Sequence, residues 1–160
     1  MELWLLRHAD AEPRAPSGLD QDRSLSPSGR ACCHDLQAWI RDCAMEPPAL
    51  VLVSPARRTL ETARTALSRL DFPDPVTESA LWNASAGDLV HLLDQQGPHA
   101  DKGLMLIAHN PGLGDLVRWL GGRLPPTGMK AGTLVVLEVD LPLLPGAATT
   151  LASFQPSELI

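Results

Sequence analysis

Three apolar runs of this chain stop abruptly on polar residues and pass straight into helical patterns. They read "ELWLLRHADAEP", "ALVLVSPARRTL" and "GLMLIAHNPGLGDLVRWL". A short, unbroken apolar run bounded by turn signals fits a strand buried on both faces. Strands alternating with helices imply a largely parallel sheet with helices on both faces. The recurring strand–turn–helix unit therefore constrains the fold more than any other feature. A length of 160 residues suits one domain over residues 1–160, able to bury roughly 70% of its unfolded surface.

The elements follow in order. Residues 2–7 form the first strand, and the polar segment 9–26 forms a loop. Ser26-Pro27 supplies an N-cap and a first-turn proline, so a helix starts there. Leu36, Trp39, Ile40 and Cys43 mark its inner face. Residues 49–53 form the second strand, and Ser54-Pro55 starts a helix with Leu60, Ala63, Leu67 and Leu70 inward. A proline-rich turn over 72–76 precedes a helix over 86–96, with Leu89, Leu92 and Leu93 inward. The strand 104–108 runs into His109, and a helix continues from the Asn110-Pro111-Gly112 turn to Leu120. "GTLVVLEVD" and "ATTLASFQP" close the chain as an antiparallel edge pair.

Charge and cysteine usage exclude several functions. The formal charge is −6, which argues against a nucleic-acid or anionic-membrane footprint. Cys32, Cys33 and Cys43 are odd in number and share one helix, so they read as buried small apolar residues rather than a disulfide framework. No metal-ligand spacing occurs, and neither a metal nor a cofactor is expected. No apolar stretch has the length of a membrane span or the form of a signal peptide, so a cytoplasmic protein is expected.

Ligands of open α/β sheets bind outside the carboxyl ends of the strands. Here those ends carry Arg7-His8, Ser54 with Arg57 and Arg58, and His109. Cations at a helix start suit a phosphate group, and imidazoles offer a nucleophile. Adjacent residues of a regular strand face opposite ways. Arg7 and His8 can therefore share a site only if the strand ends between them and the backbone turns.

"LLRHADAEP" resembles the Arg-His-Gly signature of the histidine phosphatase superfamily, the phosphoglycerate mutase-like proteins. "SPARRTLETA" resembles its Ser-x-x-x-Arg-x-x-x-Thr block, and "LIAHNPGL" its second-histidine block. The short length, "LPPTGMKAGTLVVLEV" and "FQPSEL" are most similar to the SixA-type phosphohistidine phosphatases. The resemblance implies a three-layer α/β/α fold with a mostly parallel central sheet and an antiparallel edge. It implies His8 as the nucleophile that becomes phosphorylated, with Arg7, Arg58 and His109 holding the phosphoryl oxygens. Arg58, not Arg57, has the family spacing from Ser54. Arg23 is carried as an auxiliary phosphate contact only. Ala9 departs from the usual glycine, and its methyl disfavours a positive φ there.

Phosphoryl transfer asks a protein mainly for positioning and charge stabilisation. His8 must attack as neutral imidazole, and nearby Arg7 and Arg58 disfavour its protonated form. Larger relatives use a glutamate as general acid. Here Glu78 and Asp88 are the candidates in that region, and neither is a clean match. A weak or absent acid fits an imidazole leaving group better than an alkoxide. The expected activity is a metal-independent phosphatase acting on phosphohistidine of a partner protein in signal transduction. The alternatives are a phosphatase of a small phosphorylated metabolite and a phosphate-docking module without turnover. His34 and His91 read as solvated, and His99, in a Pro-Gly loop, carries no signal. Trp4, Trp39, Trp82 and Trp119 read as core or near-core, with Trp82 able to line the cleft.

Overall fold

A computed structural model describes residues 1–97 and 101–157. The strands are β1 (Glu2–Arg7), β2 (Leu50–Val53), β3 (Val76–Thr77), β4 (Leu104–Ala108), β5 (Leu134–Val139) and β6 (Ala148–Phe154). The helices are α1 (Pro27–Cys43), α2 (Arg57–Ala66), α3 (Ala86–Asp94) and α4 (Gly112–Trp119). One sheet has the order β3-β2-β4-β1-β5-β6. β1, β2, β3 and β4 pair in parallel, whereas β5 and β6 add an antiparallel edge. This is the α/β fold expected from the alternating pattern.

Two apolar layers explain why β1 shows no polar alternation. Leu3 and Leu5 pack with Leu104, Leu106, Leu89 and Leu116 on the α3–α4 side. Trp4 and Leu6 pack with Met105, Ile107, Leu36 and Ala63 on the α1–α2 side. Successive side chains thus enter opposite cores, and all four are fully buried. Each such burial contributes about 1.5–3 kcal/mol of transfer free energy.

Local details differ from the sequence reading in instructive ways. Ser26 caps α1 as expected, its Oγ accepting from Gly29 N at 3.0 Å. The buried α1 residues are Gly29, Cys33, Leu36 and Ile40, while Trp39 and Cys43 are half-buried. Of the three free cysteines only Cys33 is buried. α2 begins at Arg57, not at Ser54-Pro55, and it buries Thr59, Thr62, Ala63 and Ala66, with Leu60 and Leu70 only half-buried. The threonines can face inward because their hydroxyls are satisfied locally. Thr59 Oγ1 donates to Ser54 O and Ala56 O, and Thr62 Oγ1 to Arg58 O, each at 2.7 Å. Trp4 is core, and Trp119 is exposed. The loop over 9–26 contains a one-turn 3-10 helix, Asp20–Asp22. Among the described residues no helix is long and apolar enough to cross a membrane.

Candidate active site

Sheet register carries the key residues to one place. Arg7 lies opposite Ala108 across β1 and β4, and Val53 opposite Ile107 across β2 and β4. The next residue of each strand is therefore His8, His109 or Ser54, side by side along the carboxyl edge. β1 ends at Arg7, as sharing a site requires. His8 N donates to Ala108 O at 3.1 Å, while Gly132 N donates to His8 O at 2.8 Å and to Arg7 O at 3.2 Å. Gly132 has φ +83°, and a Cβ there would meet Cys32 Sγ at 2.5 Å, so the residue gripping this corner needs to be glycine. Ala9 is fully buried and has no positive φ; its N–H donates to Thr62 Oγ1 at 3.0 Å.

A cavity of about 310 Å³ opens over these strand ends. Arg7, His8, Arg23, Arg58 and His109 line it, together with Asp10, Asn83 and Asn110. The structure thus gathers Arg7, His8, Arg58, His109 and Arg23, whereas Arg57 is exposed and paired with Glu61 at 2.8 Å. His34 and His91 are exposed on helix surfaces. His99 lies outside the described residues. A larger cavity of about 440 Å³ beside α2 and the 67–75 segment is lined by Arg64, Arg69 and Asp74 and contains no histidine.

The hydrogen bonds set the state of each imidazole. His8 Nδ1 lies 2.8 Å from Ala9 O, and a carbonyl can only accept. Nδ1 therefore carries the proton, which leaves the Nε2 lone pair available as a nucleophile. Burial pushes the His8 pKa down to about 4; Arg58, Arg7 and Arg23 add to the fall, and the Ala9 bond opposes it. His109 is lowered to about 3, first by burial and then by His8 and Arg58. Its Nε2 lies 2.7 Å from Ser54 Oγ, and its ring centroid lies 5.4 Å from that of His8. Trp82 stands edge-on to His109 at 5.3 Å, beneath the Arg58 guanidinium at 5.6 Å.

The imidazole states are open to measurement. In an NMR titration the His8 ring should change charge near pH 4 and the His109 ring near pH 3. Both folded values lie below the unfolded value of about 6.5, so the unfolded chain binds protons first. Stability should therefore fall as pH drops from about 6.5 to about 3, the His8 part being spent by about 4. A His8 midpoint near 6.5 would contradict the assigned environment.

The guanidiniums hold unspent donors. Arg7 Nη1 donates to Met129 O at 2.9 Å, yet its buried Nε has no partner. Arg58, 6% exposed, likewise has a buried Nε without one. Arg7 is lowered from its ordinary pKa by burial and then by Arg58. Two orphaned N–H groups amid clustered cations have the chemistry that suits a tetrahedral oxyanion. Among the described residues no group of three or more His, Cys, Asp or Glu is placed to hold a metal.

The acid candidates are spent elsewhere. Glu78 Oε1 accepts from Ala80 N at 2.9 Å. Asp88 Oδ2 accepts from Ser85 N at 2.9 Å in a capping box. Neither is among the described lining residues. The carboxylate that does line the cavity is Asp10, whose Oδ2 accepts from Ser26 Oγ at 2.5 Å and Ser28 Oγ at 3.3 Å. A second carboxylate, Asp20, reaches Arg58 at 3.1 Å. The sequence reading missed both; the i, i+3 spacing of Asp20 and Arg23 was the signal for the latter.

Comparison with known proteins bears on the family and the fold. The model of the histidine phosphatase superfamily (branch 1) matches residues 3–109. No curated protein sequence matches. The solved structure of the protein histidine phosphatase SixA complexed with tungstate is 23% identical, with TM-score 0.82 over 98% of this chain and 97% of that one. A SixA phosphohistidine phosphatase candidate from Agrobacterium tumefaciens is 26% identical, with TM-score 0.81 over 97% and 98%. The alpha-ribazole phosphatase from Shigella flexneri is 16% identical, with TM-score 0.66 over 95% and 100%.

Proposed function

The chain belongs to the histidine phosphatase superfamily, and on that premise we propose that it is a phosphatase whose nucleophile is His8 and whose substrate is phosphohistidine on a partner protein. The observation that carries this reading is the His8 Nε2 lone pair, fixed by the Ala9 carbonyl, in a cavity shared with Arg7, Arg58, Arg23 and His109.

The reaction runs in two displacements. His8 Nε2 attacks phosphorus, a phosphorus–nitrogen bond forms, and the bond to the substrate imidazole breaks. The departing imidazole takes a proton from solvent water. Water then attacks the phosphorus on His8, releasing inorganic phosphate and restoring the neutral ring. Arg7, Arg58 and His109 hold the equatorial oxygens through the transition state, and Arg23, which also lines the cavity, is an auxiliary contact.

The choice of substrate follows from the carboxylates. Glu78 and Asp88 cap helical segments, and Asp10 is bound to two serine hydroxyls. An alkoxide leaving group needs a proton in the transition state, whereas imidazole leaves readily. A site without a poised acid suits the second. A phosphatase of a small metabolite remains the competing reading, because the fold is shared with the alpha-ribazole phosphatase.

The test is a comparison of substrates with trapping of the intermediate. A labelled phosphohistidine protein is mixed with the enzyme and quenched in alkaline denaturant, where phosphohistidine survives. Label should appear on the enzyme at His8. The kcat/KM should exceed that for hexose phosphates by on the order of 100-fold. Faster turnover of sugar phosphates would reverse the substrate assignment, and binding with no turnover of either class would favour a docking module.

A further inference from the structure

We propose that Asp20 is a positioning residue for the phosphoryl site: it grips the far end of the Arg58 guanidinium and thereby presents the lateral edge to the phosphoryl oxygens. The proposal rests on the phosphatase reading above.

Arg58 Nη1 donates to Asp20 O at 3.0 Å, and Nη2 donates to Asp20 Oδ2 at 3.1 Å. The Nη1–Nη2 end of the fork is thus occupied by one residue. A planar guanidinium offers a second forked edge, formed by Nε and Nη2. Here Nη2 lies 3.5 Å from His109 Nδ1, and the buried Nε has no partner. The edge left over is therefore the one turned towards His109. Trp82 lies against the guanidinium face, 5.6 Å from Cζ, and limits its rotation.

Asp20 also reaches a second arginine. Its Oδ1 accepts from Arg23 Nε at 2.9 Å, and Arg23 Nη1 donates to Glu12 O at 3.1 Å. One carboxylate thus ties two cavity-lining arginines together. Burial acts to raise the Asp20 carboxyl, but Arg58 and Arg23 outweigh it and hold the group below the usual range. Asp20 is then an anion at neutral pH and cannot serve as a proton donor. It is not among the described lining residues, so it acts through the arginines. The one-turn helix that carries it is pinned by Ser17 Oγ, which donates to Asp22 Oδ2 at 2.6 Å.

Asp20→Asn, Asp20→Glu and wild type are compared by calorimetric titration with tungstate. Their kcat/KM is measured on p-nitrophenyl phosphate and phenyl phosphate. Asparagine keeps the size but turns an N–H donor towards one of the two arginines. Asp20→Asn should bind tungstate about tenfold more weakly and lose about 10- to 100-fold in kcat/KM, equally on both esters. Asp20→Glu should recover part of the loss, with the thermal midpoint of both variants unchanged. Wild-type tungstate affinity and turnover in Asp20→Asn would overturn the proposal. So would a loss that grows with leaving-group basicity, which marks a general acid. Tungstate binding without hydrolysis by the wild type of either ester or of a phosphohistidine protein would overturn the phosphatase reading, while the tungstate series would still decide the role of Asp20. No tungstate binding by the wild type would overturn both.

Discussion

Replacing His8 with alanine is expected to lower hydrolysis by on the order of 10⁴-fold or more and to leave no trapped label, because the covalent route then has no attacking atom. His8 is 9% exposed and sits at the meeting point of β1, β4 and the Gly132 corner. Truncation removes the ring and its bond to Ala9 O, yet the corner itself is held by backbone bonds from His8 N and to His8 O. The variant should therefore fold, with an unchanged circular dichroism spectrum. Oxyanion binding should persist, since Arg7, Arg58 and His109 are untouched. Free imidazole added to the variant occupies the space left by the ring and should restore part of the turnover as a diffusible nucleophile. Rescue should follow the neutral fraction of the added imidazole. Equal hydrolysis by His8→Ala and wild type would remove His8 from the mechanism.

This expectation uses residues that could be picked out before any coordinates. β1, β2 and β4 were legible because burial on both sheet faces leaves an unbroken apolar run, and each run stops where the backbone leaves the sheet. His8 and His109 were legible as candidates because they stand with arginines at the carboxyl ends of such runs, in blocks that resemble the family's two histidine blocks. Side chains whose partners come from remote segments were not legible. Asp20 meets Arg58 only because the loop over 9–26 folds back across α2, a contact between residues 38 apart in sequence. The inner face of α2 was read only in part: Ala63 and Leu67 are buried as expected, but hydropathy cannot see Thr59 and Thr62 satisfying their own hydroxyls on nearby carbonyls. Ser54 was taken as a helix start for a similar reason. Its hydroxyl serves His109 instead, and the first α2 residue is Arg57.

Arg58→Met should separate catalysis from stability. Catalysis depends on the guanidinium, and loss of an arginine that stabilises a phosphoryl transition state costs about 10³- to 10⁵-fold. Lysine should not restore it. A single ammonium cannot hold Asp20 O and Asp20 Oδ2 while also offering a planar fork to the oxyanion. Stability should move the other way. The buried Arg58 Nε lacks a partner, which by itself costs about 1–3 kcal/mol. The guanidinium also shares a cavity with Arg7 and Arg23. Its ion-pair partner is 59% exposed on the Asp20 side, so the carboxylate left behind rehydrates instead of remaining buried and alone. Methionine fills the same channel with a flexible apolar chain. The thermal midpoint of Arg58→Met without added anion should therefore equal or exceed that of wild type. Added tungstate should reverse the order: at ~100 times its Kd it stabilises the wild type by about 2.7 kcal/mol and leaves the variant nearly unmoved. A variant that melts well below the wild type without anion would show that Arg58 holds the fold together rather than storing binding energy for the phosphoryl group.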